Sequence, residues 1–249
     1  MGVVGGPDPI VMDSLLFAVD PANDPSYGGS GTNTNDLCSS TTGSLKGGTS
    51  FISTNGGVFD FDGGNDYIQF QDENKFEFTN GTNDSAFSIS IWVNFDNLTG
   101  ARALVSKDNG NTSREWTLAV FNNSGYRARL FLKGALNGNY QQSIDTNSTF
   151  TTGVWYHITA TYSGVGGSDA HDGITFYVNG VAEAEYGVSD SNSYASMQQG
   201  TAPLEIGRYS ANAGAVYMNG KISQTLIYSK ELSAAEVLQN YNALKDRFD

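Results

Sequence analysis

The chain has 249 residues, 30 of them glycine, with 12% aromatic and only 16% charged residues. That length admits one large all-β domain or two small ones. A net charge of −13, from 13 basic and 26 acidic residues, argues against DNA, RNA and anionic membranes as partners, and a lone cysteine, Cys38, excludes an intrachain disulfide.

Residues 1–13 read as an N-terminal arm. It has no basic n-region, since the first Lys or Arg is Lys46, and no apolar run near about 18 residues follows. The expectation is a protein made in a cytoplasm without a Sec-type signal and with no membrane partner. Ser14 to Asp20 reads as the first strand. The stretch 21–50 is rich in Gly, Ser, Thr, Asn and Asp, so turn chemistry dominates it. Cys38 lies there without a neighbouring His or Lys to activate it. Further strands are expected at 57–62, 66–70, 87–95, 102–107, 115–121, 127–133, 140–144, 155–162, 174–179, 181–186, 203–207 and 221–228. The run 87–95 alternates apolar and polar residues, the mark of a half-buried strand. Asn179-Gly180 predicts a two-residue type I′ hairpin, which needs φ > 0 at both central positions. Near the end, Ser233-Ala234-Ala235-Glu236 is a capping box that opens a helix over about 233–245. Leu238, Tyr241 and Leu244 are placed on its packed face. Short strands without intervening helices argue for a sandwich rather than βαβ units.

Several segments in this order resemble the laminin-G/pentraxin-like branch of the concanavalin A-like lectin and glucanase superfamily. They are Phe61-Asp62-Gly63 with Asp66-Tyr67, Phe87 to Phe95, Leu104-Val105-Ser106-Lys107, Trp155-Tyr156-His157-Ile158, Ile174 to Gly180, Leu204-Glu205-Ile206-Gly207 and Gly220-Lys221-Ile222. The resemblance implies an all-β, two-sheet antiparallel jelly-roll sandwich with one short C-terminal helix, as a single domain over 14–249. Gly5-Gly6-Pro7, Ile10-Val11 and the ending Ser233 to Ala243 are similar to laminin-G-like structural proteins of tailed bacteriophages. That similarity implies a virion location and release by lysis.

Glycanases of the superfamily carry acids at alternate positions of one strand, and retaining chemistry needs carboxyls about 5–5.5 Å apart. The only comparable pattern is Glu183-Ala184-Glu185. Its partner acid is missing, so no catalytic residue is assigned. His157 is assigned a structural role and His171 a loop position. The resemblance implies that calcium, if bound, uses Asp108-Asn109 on a rim or Asp20 near the first strand. Both sets are incomplete: Arg208 to Gly214 contains no acid, and Ser223-Gln224 stands where relatives carry an Asp-Glu pair. No cofactor is required. Asp62 and Asp66 are assigned to turn amides.

Six of the 13 basic residues fall between Arg102 and Lys133. Arg127, Arg129 and Lys133 alternate onto one face of a strand, opposite Ala128, Leu130 and Leu132. Either that face is solvated and balances nearby acids, or it meets an acidic partner subunit or an anionic glycan. Trp116, Tyr126, Tyr140, Tyr194 and Tyr209 are the aromatic candidates for stacking on sugar. Three functions stay open. The first is a non-enzymatic virion component, such as a capsid decoration or tail-fibre domain, with other virion proteins or its own copies as partners. The second is a carbohydrate-binding adhesion module, and the third a polysaccharide hydrolase.

Overall fold

The computed structural model describes residues 8–71, 74–110, 113–134, 141–191, 193–211 and 214–248. The first strands are β1 (Leu15–Val19), β2 (Asn33–Asn35), β3 (Thr42–Lys46), β4 (Ser50–Ile52), β5 (Val58–Asp62) and β6 (Tyr67–Phe70). The long central strands follow as β7 (Phe87–Phe95), β8 (Arg102–Asp108), β9 (Arg114–Asn122), β10 (Tyr126–Lys133), β11 (Gln141–Thr146) and β12 (Trp155–Tyr162). The remainder are β13 (Ile174–Val178), β14 (Val181–Ala182), β15 (Glu185–Ser189), β16 (Leu204–Ile206), β17 (Arg208–Ala211), β18 (Gly214–Tyr217) and β19 (Asn219–Tyr228), followed by helix α1 (Ala234–Leu244).

These strands form two antiparallel sheets packed face to face, which makes the fold a jelly-roll sandwich. The front sheet runs β14-β13-β12-β7-β19-β5-β4, with β1 also paired to β19. The back sheet runs β15-β11-β10-β9-β8-β16-β6-β3-β2, and β17 and β18 make a separate hairpin. Inward side chains such as Phe61, Phe70, Phe87, Phe95, Trp116, Leu130 and Ile158 fill the space between the layers. Burying one such side chain stabilises the fold by about 1.5–3 kcal/mol.

The outer faces are also covered, which the alternation pattern does not reveal. All nine residues of β7 are buried, so it is not the half-exposed strand its sequence predicts. The C-terminal segment explains this. Trp92 stacks on Tyr241 and Phe248, with ring centres 5.6 and 4.3 Å away. Ser88 Oγ donates to Lys230 O and accepts from Leu232 N. On the back sheet the β17–β18 hairpin lays Tyr209 over Ala103 and Ala119.

The hairpin prediction holds with its physical reason. Asn179 and Gly180 have φ of 51° and 79°, and β13 and β14 pair Val178 with Val181 across them. Gly220 has φ of 134°, and a Cβ there would meet the carbonyl of Asn94, so the family-like Gly220-Lys221-Ile222 has room for nothing larger. Ser233 and Glu236 form the capping box. The helix buries Val237 and Asn240 rather than the expected Leu238, which is 45% exposed. Residues 8–13 of the arm pack on this helix: Val11 N donates to Asn240 Oδ1 at 2.8 Å, and Gln239 Nε2 donates to Pro9 O at 2.7 Å. Among the described residues no helix is long and apolar enough to cross a membrane.

Candidate functional site

The basic strand β10 places its side chains as its alternation requires, but they serve the chain itself. Arg127 is only 8% exposed. Its guanidinium donates to the carbonyls of Asn123 and Thr146 at 3.2 and 3.0 Å, donates to Asn147 O, and lies 3.6 Å from the centre of the Tyr186 ring. Arg129 pairs in a fork with Asp145, its Nη2 2.7 Å from Oδ2. Lys133 is buried against Asp108 and Tyr209. Burial pulls its pKa below the usual lysine range, against the pull of Asp108. The face does balance nearby acids, Arg129 against Asp145 and Lys133 against Asp108, but Arg127 and Lys133 are buried rather than solvated.

The aromatic candidates fare similarly. Trp116 is fully buried, and its indole Nε1 donates to Phe76 O at 3.2 Å, so it offers no face to a sugar. Tyr126 packs against the core from its half-buried position. Tyr209 is buried beside Phe121. Tyr194 is buried and donates from its hydroxyl to Asp84. Tyr140 lies outside the described residues. Aromatics on both faces of a strand were indistinguishable in the sequence because both faces are covered.

Asp20 and Asp108 sit in different sheets' surroundings and each already faces a cation. Arg247 Nη1 reaches both oxygens of Asp20 at 2.9 Å. Asp108 takes Lys133, with Arg114 Nε 3.7 Å away. Asn109 closes a local turn, its Oδ1 accepting from Ser113 N at 2.9 Å. Among the described residues no three His, Cys, Asp or Glu side chains converge as a metal site would require. Asp62 and Asp66 do serve turn amides: Asp62 accepts from Gly64 N at 2.7 Å and Asp66 from Asp62 N at 3.0 Å.

The Glu183-Ala184-Glu185 pattern does not form one strand face. β14 ends at Ala182 in the front sheet and β15 starts at Glu185 in the back sheet, so the chain changes layers between the two acids. Glu183 instead accepts from Ser148 N and Oγ at 2.6 and 2.9 Å. His157 is buried and neutral, its pKa pushed down to about 3 by desolvation, with Nε2 2.7 Å from Ser90 Oγ. His171 holds Gln142 at 2.8 Å. Cys38 is exposed, yet partial desolvation and the carboxylate of Asp36 raise its thiol to about 11, so it is a poor nucleophile.

A concave feature of the described residues lies elsewhere, where the turn at 79–84 meets the irregular segment 193–200. It is a cleft of about 390 Å³. Its walls present Gly81, Gly134, Ser193, Ser196, Gln198 and Gln199, with Ala195 and Met197 as the apolar part. The turn forms because Asn80 Oδ1 accepts from the amides of Thr82 and Asn83 at 3.0 and 2.8 Å while Gly81 takes φ of 81°. The 193–200 segment has no ladder partner and is pinned by other groups. Gln198 N donates to Lys133 O at 2.8 Å, Gly167 N donates to Ala195 O at 2.8 Å, and Arg114 N donates to Gln198 Oε1 at 3.2 Å. Just beyond it, Ser113 Oγ accepts from Thr201 N and Ala202 N at 2.7 and 2.8 Å.

Behind the wall sits Asp84, buried, with three donors converging on its carboxylate. Tyr162 and Tyr194 hydroxyls reach Oδ2 at 2.8 and 2.7 Å, and Met197 N reaches Oδ1 at 2.7 Å. Desolvation raises the Asp84 pKa despite these hydrogen bonds, and both tyrosines are raised by burial and by the carboxylate beside them. This hub ties three loops together and fixes the cleft wall. Among the described lining residues the groups offered are amides, hydroxyls and glycine backbone, and none of these side chains carries a charge. The residues of 193–200 carry no strong periodicity, which is why the sequence singled out none of them but Tyr194.

A family model described as concanavalin A-like lectin/glucanases superfamily (Laminin_G_3) matches residues 62–238. The chain belongs to this superfamily. No curated protein matches it. Among solved structures, the superfamily sandwich seen here is similar to the binding domain of Paraclostridial Mosquitocidal Protein 1, with TM-score 0.66 and 17% identity over 93% of this chain and 52% of that one. A binding domain of botulinum neurotoxin DC, solved in complex with SialylT, gives TM-score 0.63 and 14% identity over 93% of this chain and 52% of that one. A mutant of Trypanosoma rangeli sialidase displaying trans-sialidase activity gives TM-score 0.63 and 12% identity over 96% of this chain and 34% of that one. The chain thus spans about half the length of the toxin domains it matches. At such identities the likeness establishes the fold.

Proposed function

We propose that this chain is a non-enzymatic carbohydrate-binding module that uses the cleft between 79–84 and 193–200. The observation that carries this reading is the lining itself, in which amide and hydroxyl groups converge on a lectin-like sandwich without a catalytic carboxylate pair. Saccharides present hydroxyls that need donors and acceptors together, and glutamine and serine supply both. The binding-domain character of the similar toxin structures supports the same reading: one is in complex with SialylT, and another is of botulinum neurotoxin type C, whose cell entry is dependent upon interaction with two ganglioside molecules. A glycan array with the purified protein tests it, paired with a reducing-end assay on any glycan retained. Binding without turnover supports a lectin; turnover restores the hydrolase.

A structural role in a phage particle is the second reading. It rests on the resemblance of the two end segments to phage proteins. These segments dock on each other, through Val11 with Asn240 and Pro9 with Gln239. Tyr228 completes the clasp, donating to Val11 O and accepting from Asn240 Nδ2, both at 3.0 Å. Light scattering tests the association that such a role requires. A strictly monomeric protein at high concentration, with no co-purifying particle, removes it.

A further inference from the structure

The geometry points to an uncharged saccharide, not a sialylated, sulfated or uronic one, as the ligand of the cleft. This rests on the carbohydrate-binding reading and narrows it. No lysine or arginine is among the lining residues. Recognition of a carboxylate or sulfate uses a cationic fork or ammonium, or the N-terminus of a helix. The nearest basic strand residue, Lys133, gives the cleft only its carbonyl, which accepts from Gln198 N at 2.8 Å. Its ammonium is buried against Asp108. Arg114 likewise contributes its backbone N–H to Gln198 while its guanidinium lies near Asp108.

Carboxylates stand closer to the lining side chains. Asp84 stands behind the wall, one hydrogen bond from the lining residue Met197. At the lip, Gln199 Nε2 donates to Glu77 Oε2 at 2.8 Å. The whole chain carries −13. An anionic sugar entering here would meet that field with no cation among the described lining residues to pair with. A neutral one would meet hydroxyl and amide partners, and the exposed methyl of Ala195 for its C–H faces. The volume, about 390 Å³, falls in the range of roughly 300–1,000 Å³ usual for small-ligand sites.

The test uses the full chain and an array that prints neutral oligosaccharides beside their sialylated, sulfated and uronic counterparts, read at about 0.05 and 0.5 M salt. The expected result is retention of neutral members with signals that salt leaves nearly flat. Ala195→Trp fills the mouth from an exposed position and should lower that retention by about tenfold or more. Its melting temperature should match that of the parent. Preference for the anionic counterparts, or a steep fall with salt, overturns the inference while leaving a lectin in place. Undiminished binding by Ala195→Trp moves the site out of the cleft and overturns it too. If the parent protein retains no glycan of either kind, the carbohydrate-binding reading itself falls.

Discussion

Replacing Asp84 with alanine strips the acceptor from three buried donors at once: the hydroxyls of Tyr162 and Tyr194 and the amide of Met197. A buried donor left unpaired costs about 1–3 kcal/mol. Three would cost roughly 3–9 kcal/mol, but the variant also relieves the desolvation of a carboxylate, so a net loss of about 4 kcal/mol is expected. For a chain of this size that is a fall of about 8–16 °C in Tm. Urea unfolding monitored by tryptophan fluorescence measures it. Adding Tyr162→Phe and Tyr194→Phe should recover about 1–2 kcal/mol, because removing both partners of a buried hydrogen bond is nearly neutral. Recovery stays partial, since Tyr162 Oη also accepts from Gly166 N at 2.8 Å. The pH dependence has a definite sign. The folded pKa of Asp84 is raised, so its contribution is full below about pH 3.9 and declines as pH rises through the folded value. The gap between parent and Asp84→Ala should therefore be widest at acid pH. A loss under about 1 kcal/mol, or a gap that widens toward neutral pH, refutes the hub.

His157, with its pKa near 3 in the fold and about 6.5 unfolded, gives stability that is full above pH 6.5 and lost as pH falls toward 3. The slope is about 1.4 kcal/mol per pH unit, or roughly 2 kcal/mol by pH 5; His157→Gln should flatten it, and equal slopes would contradict the assignment. Arg129→Glu sets a second carboxylate against Asp145 and should cost about 3–5 kcal/mol in urea unfolding; a silent variant would restore the free basic patch. Because Arg247 and Lys133 occupy Asp20 and Asp108, millimolar calcium should move Tm by less than about 1 °C; a rise of several degrees would reveal a calcium site.

The strands were legible because period-two alternation and turn residues are local signals. From β5 to β13 and again at β19, the sequence runs coincide with the ladders to within a residue or two. Local signals failed where pairing is short or distant. β2 and β3 hide in the polar 21–50 stretch, and β4 at its end, because short segments such as Asn33–Asn35 are made strands by their neighbours rather than by their own composition. The run 181–186 read as one strand but is split between two sheets. The burial of both faces of β7 and β10 was invisible, since the covering residues Tyr241, Phe248 and Tyr209 come from far along the chain. That omission hid the burial of Arg127 and Lys133, whereas Trp116 is buried between the layers, as an aromatic on a strand commonly is. The cleft was illegible for a related reason: its shape depends on Asp84, Lys133 and Ser113 meeting a segment that has no pattern of its own.

The placement of β19 governs how the molecule is made. It lies between β7 on one side and β5 and β1 on the other, so the centre of the front layer is the last strand synthesised. Until it emerges from the ribosome, β7, β5 and β1 hold open backbone edges beside unsheltered phenylalanines, a state prone to aggregation. Non-local closure of this kind is slow. Fragments cut short before Asn219 are therefore expected in inclusion bodies, and the yield of intact protein should improve when translation is slowed or a chaperone shields the waiting strands.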